Sequence, residues 1–343
     1  MATRVNKKLL VIVFSCAAIA IGVVALVMFK QWRGDPMRHI RAGDAFMAQN
    51  DFRRAAGEYG RAVGKRSGEV AFYTKYLDAM SKVVPATTSE ALENYQTWIA
   101  FFLKRAQIAR TDESLWRPVI AERLFQSEMN DSNDAWQSLF NFAQEDLLKT
   151  VEGDEKLTLA AQALMGYAHS REPSALTPDE LAKSIELMEA TVKAAKGEYQ
   201  DLAYGGLLSL RLNQAVVLTR SGQPRLAAEA WKTFDQLLAR AEAEQPTGFQ
   251  VVKHRLQRLS SGATFNVPFG DAPIAKEQIA AAAEKLVARA KEDGTAVGVL
   301  DATKSLGSVG VPDGMRLAAD LTRWYVKDHP DALFHRRVLA TVL

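Results

Sequence analysis

The sequence predicts an all-α chain in which one N-terminal transmembrane helix leads into an α-solenoid of antiparallel helix pairs. Three observations carry that expectation. Residues 9–29 (LLVIVFSCAAIAIGVVALVMF) hold no charged side chain. Beyond them, almost every window repeats apolar residues at i, i+3, i+4 and i+7, while alternating strand-like runs are scarce. Connections between these helical patterns are short, which makes sequence neighbours antiparallel.

The uncharged run comes first. As a helix its 21 residues rise roughly 32 Å, enough for a hydrocarbon core of about 30 Å. Ser15, Cys16 and Gly22 are its weakly polar members, and a membrane helix tolerates them. Lys30, Trp32 and Arg33 follow where snorkelling cations and an aromatic belt mark a membrane interface. A cleaved signal peptide has a shorter apolar region and a small-x-small site, whereas this run ends in Val-Met-Phe-Lys. Val-Phe-Ser-Cys at 13–16 looks like a loose lipobox, but Phe14 is bulky for it and thirteen apolar residues follow the cysteine. An uncleaved single-pass anchor remains the reading, alongside those two. Bases flank both ends (Arg4, Lys7 and Lys8 before; Lys30, Arg33, Arg38 and Arg41 after), so charge asymmetry orients the span only weakly. The expectation is a short cytoplasmic tail and an exported bulk.

Charge agrees with this division. The chain of 343 residues carries 43 Lys and Arg against 40 Asp and Glu, a formal charge of +3. Four of the bases and none of the acids lie in residues 1–30, so the remaining 313 residues are nearly neutral. That excludes a broad basic footprint for nucleic acid. The basic group Arg38, Arg41, Arg53, Arg54, Arg61, Lys65 and Arg66 is diluted by Asp35, Asp44, Asp51 and Glu58, and reads as a solvated face. One cysteine excludes an internal disulfide framework and a Cys-based zinc site.

The body then reads as consecutive helices at 36–49, 52–65, 69–84, 89–109, 113–129, 133–150, 155–170, 178–196, 199–221, 224–243, 248–259, 274–293, 296–306, 314–328 and 331–342. Thr177-Pro178-Asp179-Glu180 combines an N-cap, a first-turn proline and a capping-box glutamate. Ser132, and Thr88 or Ser89, are further N-caps. Gly222, Gly294 and Gly314 read as stops. The domain plan is a basic tail over 1–8, the span over 9–29, a juxtamembrane linker over 30–35, and helical repeats over 36–259. A loop or break follows over 260–273, then further helices over 274–343 that look incomplete at the C-terminus.

Residues 36–69 carry the clearest repeat. Gly43 and Phe46 lie on its first helix, Asn50-Asp51 on the turn, and Phe52, Ala55, Tyr59 and Ala62 on the second. Small residues at 43 and 55 let two helices approach closely, and the aromatic rings fill the space beside them. This spacing resembles a tetratricopeptide repeat of 34 residues, with Ser67 where that family usually has proline. Ala215, Leu218, Gly222, Ala227, Trp231 and Phe234 fall at corresponding places, as do Ala318, Tyr325 and Pro330 near the end. An N-terminal span followed at once by a good repeat also looks like bacterial membrane-anchored tetratricopeptide proteins.

The resemblance implies a superhelix whose concave face binds protein segments. It places Met37, Ile40, Asp44, Met47 and Ala48 in that groove. The family's carboxylate clamps use Lys and Asn where Ile40 and Asp44 stand, so an apolar or helical partner segment is implied instead. No cofactor and no nucleic acid is expected, and a homo- or hetero-oligomer fits an array left uncapped.

No catalytic constellation emerges. His39, His169, His254, His329 and His335 form no paired i, i+4 zinc arrangement, and His329 and His335 read as a cap and a surface group. Gly205-Gly206 lies inside an apolar helical run, where close helix packing explains it better than phosphate binding. Neither a G-x-S-x-G elbow nor a phosphate loop is present. The function expected is a membrane-anchored scaffold for protein assembly, with a non-catalytic subunit or N-terminal part of a larger membrane-associated enzyme or export complex as the alternative.

Overall fold

The computed structural model describes residues 35–270, 272–308, 310–330, 332, 335, 336, 338 and 339. The apolar run 9–29, Cys16, and the interface residues Lys30, Trp32 and Arg33 lie outside them. The regular structure of the described residues is helical, with no strand and a single isolated bridge between Phe269 and Ala272. The all-α expectation holds. No described helix is long and apolar enough to cross a membrane.

The chain divides into two compact units, Met1–Ala86 and Thr87–Leu343. In the first, α1 (Pro36–Ala48), α2 (Phe52–Lys65) and α3 (Val70–Ser81) pack each on the next. Local chemistry starts each of the first two. The Asp35 side chain accepts from the Met37 amide with Pro36 in the first turn, and Asp51 accepts from the Arg54 amide. Asn50, at φ 57°, makes the turn between them.

Gly43 brings α1 and α2 together. A Cβ there would stand 2.4 Å from the Tyr59 ring, so only glycine leaves room. Ile40, Ala55, Tyr59 and Ala62 fill the buried side of the pair. The Tyr59 hydroxyl donates to Asp44 at 2.7 Å, and the Lys75 ammonium of α3 donates to the same carboxylate at 2.6 Å. His39 meets Glu58 at 2.7 Å on the other side of α1. Polar contacts therefore register α1 against both following helices.

The second unit contains α4 (Thr88–Ile108), α5 (Glu113–Asn130), α6 (Asn133–Asn141, running into a π-helical turn at Phe142–Leu148), α7 (Glu155–Arg171) and α8 (Pro178–Ala194). It continues with α9 (Glu198–Arg220), α10 (Pro224–Glu244), α11 (Phe249–Phe265), α12 (Lys276–Asp293), α13 (Ala296–Leu306) and α14 (Gly314–Asp328). The Thr177–Glu180 capping box forms at α8, and Ser132 caps α6. At α4 the cap is Thr87, one residue before the expected pair.

One expected break shortens, and one glycine read as a stop has a different role. Helix α11 continues through Phe265, so the irregular stretch is shorter than 260–273. Gly222 and Gly294 do sit in left-handed turns that end helices. Gly314 instead begins α14, because a Cβ there would lie 2.0 Å from the Leu306 carbonyl oxygen.

Helix α9 organises this unit. Every residue from Tyr199 to Leu208 is buried, and the helix packs on α7, α8, α10 and α11. A helix buried on all sides shows no amphipathic stripe. Its two glycines serve two neighbours. A Cβ on Gly205 would meet the Gln250 side chain of α11 at 2.8 Å, and one on Gly206 would meet the Met188 sulfur of α8 at 2.4 Å and the Tyr167 backbone of α7 at 3.4 Å. Gly205-Gly206 is thus a packing feature.

Most helices pack on their sequence neighbours, but α5 also packs on α13. In a strictly one-dimensional array each element touches only the next; the second unit folds back on itself instead. One apolar core follows from that return, running from Phe125 on α5 through Leu256 and Leu286 to Leu306, Leu321 and Leu339.

The Gly43 contact sets a test. Gly43→Val should destabilise the α1–α2 pair by about 1–3 kcal/mol, the usual cost of overpacking a tight contact. Hydrogen exchange should accelerate across 36–81 and stay unchanged over 88–328; equal protection in both proteins would contradict the packing described.

Candidate functional site

The residues expected to form a partner groove do not all share one open surface. Met37 is 44% exposed, Ala48 is exposed and Met47 is half-buried. Ile40 is only 4% exposed, so it belongs to the core between helices rather than to a groove. Its neighbours in the helical repeat, not its polarity, decide this. Asp44 stays exposed but is engaged by Tyr59 and Lys75, which lower its pKa against the effect of partial burial.

The repeat-packing positions are mostly interior. Gly43, Ala55, Tyr59, Ala62, Ala215, Ala227, Trp231, Phe234, Ala318 and Tyr325 are buried; Phe46, Phe52 and Leu218 are half-buried. Gly222 and Pro330 are exposed at helix ends. Around Trp231, Ala215, Ala227 and Ala230 make a small separate core. Its indole donates to Thr219 at 3.0 Å and lies under the Arg258 guanidinium at 4.5 Å.

The chemistry concentrates elsewhere, inside the second unit. Glu128 on α5 is 1% exposed. Its carboxylate accepts from the Tyr167 hydroxyl at 2.9 Å and from Arg171 of α7 and Lys304 of α13, each at 3.2 Å. Asp131 accepts from Lys304 at 3.1 Å. Deeper in, Lys253 of α11 donates to Asp301 of α13 at 2.8 Å, with both side chains buried. Asp201 of α9 accepts from the Gln250 and Val251 amides at 2.9 and 3.3 Å, so it caps the first turn of α11 from a different helix.

These environments shift the titrations. Burial and the neighbouring Asp301 charge push Glu128 up, against Arg171, Lys253 and Lys304. Burial also opposes ionised Asp301, but Lys253 and Arg171 outweigh it and hold its pKa below the ordinary value. Asp201 is raised by burial to about 6. His254 is lowered to about 3 by burial and the adjacent Lys253 charge. Neutral His254 is also what its contacts require: Nδ1 donates to the Gln250 carbonyl at 2.7 Å, leaving Nε2 to accept from Ser209 at 3.0 Å.

A cavity of about 150 Å³ opens beside this network, with Glu128, Tyr167, Asp201, Gln250 and Asp301 in its lining. His335, expected at the surface, is half-buried: its Nε2 lies 2.9 Å from Glu122 and its ring stands edge-on to Phe125 at 4.7 Å. His329 caps α14 and stacks on Tyr325 at 4.2 Å. Among the described residues, no cluster of His, Cys, Asp and Glu has a metal-holding arrangement.

The sequence carried one signal for this network. Glu128 follows Phe125 by three residues, Lys253 interrupts Phe-Gln-Val-Val, and Asp301 sits between Leu300 and Ala302. Charges at core-facing positions need partners, and periodicity locates such positions without naming the partner. No protein-family model matches the chain, and no curated protein matches it either.

Two tests follow. Lys304→Met leaves buried Glu128 with one fewer cation and should cost about 1.5–3 kcal/mol, the range for a hydrogen bond to a charged group, with lost exchange protection concentrated in α5 and α13. The second concerns acid. His254 is depressed in the folded state, so its stabilising contribution is complete above the ordinary 6.5 and is lost as pH falls towards 3. Asp201 is raised, so its contribution runs the other way, from about 4 to 6, and over a smaller shift. Of these two shifts the histidine's is the larger. Thermal unfolding should show Tm falling on acidification below 6.5, with a shallower fall in His254→Gln; parallel curves would refute the assignment.

Proposed function

We propose that this chain is a membrane-anchored tetratricopeptide-type scaffold that holds a protein partner at the bilayer. The observation that carries the proposal is the α1–α2 pair. Gly43 seats against Tyr59 as the repeat spacing requires, and Met37, Met47 and Ala48 are left on accessible surface. Within each unit, consecutive packing of each helix on the next supports a solenoid-like array, and the α5–α13 contact makes the second unit a closed one. The uncharged run 9–29 supplies the anchor in this reading, with the bulk of the chain exported.

The apolar character of the face favours an apolar or helical segment as partner. Asp44 is neutralised by Lys75 across two helices, so the face offers little net charge. Methionine surfaces adapt to varied apolar shapes, which suits a scaffold. No catalytic role is assigned, because the buried acids and His254 all hold structural partners.

A photo-reactive amino acid at Met37 or Met47 of the full chain, irradiated in intact membranes, tests this reading. One discrete protein adduct should form in the membrane fraction and disappear when the other methionine is replaced by lysine. Recovery of the chain in the soluble fraction, or adducts unaffected by the lysine substitution, would overturn it.

A further inference from the structure

The second unit contains a cavity that its packing does not require. Its volume is about 150 Å³, the size of an apolar cavity that accepts a single benzene ring. Ile120 and Leu124 of α5, Leu202 of α9, Phe249 of α11 and Val297 of α13 supply apolar walls. Arg117 and Glu198 are the exposed members of the lining, which places the mouth between them. They are already paired, guanidinium to carboxylate, through two contacts of 2.7 Å. Arg117 is the one cationic side chain in the lining, and that pairing leaves it little capacity for an anion.

The inner end offers acceptors. Asp301 is 4% exposed. Both of its hydrogen bonds, from Lys253 and Gln250, engage Oδ2, and none engages Oδ1. The Gln250 side-chain oxygen is buried with no hydrogen-bond partner. Nearer the mouth, the Tyr199 hydroxyl is buried as well, and burial and the adjacent Glu198 charge raise its pKa. Buried polar atoms of this kind are uncommon, because a buried group that leaves its hydrogen bond unmet loses the one it made to water. Two lie along one small cavity here, beside an Asp301 carboxylate engaged through Oδ2.

Their chemistry selects the ligand. An anion would enter a lining that contains five carboxylates, Glu128, Glu198, Asp201, Asp293 and Asp301. A hydrocarbon would fill the walls and leave the acceptors unmet. A quaternary ammonium would bring charge without the N–H donors that Asp301 Oδ1 lacks. We propose that this cavity binds a small organic cation, a primary ammonium on an apolar body about the size of one aromatic ring. The ammonium donates to Asp301 Oδ1 and the body lies against Leu124, Leu202 and Phe249. The site is separate from the partner face of the first unit, and neither proposal rests on the other.

Calorimetry on the full chain in detergent tests it with four probes of one size: benzylammonium, benzyl alcohol, benzoate and benzyltrimethylammonium. Benzylammonium should bind at least about tenfold more tightly than each of the others. Asp301→Asn should remove that preference. Because Asp301 also holds buried Lys253, a second variant is needed: Ala121→Leu narrows the cavity without touching the ion network, and should abolish binding while leaving the circular dichroism spectrum unchanged. Equal affinity for benzylammonium and benzyl alcohol, unaltered binding in a folded Ala121→Leu protein, or no saturable heat at about 10 mM ligand would overturn the proposal.

Discussion

A single buried carboxylate, that of Glu128, sets the terms on which the second unit is built. Ionised, it needs cations close by, because an unpaired charge in a protein interior is too costly to keep. Arg171 comes from α7 and Lys304 from α13, so satisfying one side chain ties three helices together. Apolar packing would hold α5 against α13 without saying where along its length. The charges fix that register, and Tyr167 adds a directional hydrogen bond from a fully buried ring.

Helix α9 solves the complementary problem of space. Four helices pack on it, which ordinary side chains would hold apart. The adjacent glycines let α11 and α7 approach on different sides, and Met188 closes the remaining gap with a flexible thioether. Asp201 then links α9 to the start of α11 by supplying the cap that α11 has no side chain of its own to provide. Charge and void are thus arranged along the same axis, and the cavity lies where they meet.

Much of the helical plan was legible in the sequence, because caps and periodicity are local properties. The Thr177–Glu180 box, the left-handed turns at Gly222 and Gly294, and the close pair around Gly43 needed only neighbouring residues to be recognised. What escaped depended on distant ones. Ile40 is apolar enough for a groove, and only its neighbours in space show that it is covered. Gly314 resembles a stop by type, but its reason is the Leu306 carbonyl. His335 gains its place from Glu122, 213 positions earlier in the chain. Nothing in an i, i+3, i+4 pattern announces that α5 and α13 meet.

That meeting has a consequence for synthesis. Glu128 and Lys304 are 176 positions apart, and ribosomes add about 5–20 residues per second. The carboxylate is therefore made roughly 10–35 seconds before the ammonium that it will share an interior with. During that interval Glu128 has only its α7 partners Tyr167 and Arg171, and the core around Phe125 lacks its contributions from α13 and α14. The apolar core that runs from Phe125 to Leu339 can be completed only after α13 and α14 have been made. A nascent chain in this state exposes apolar surface for longer than a simple repeat array would.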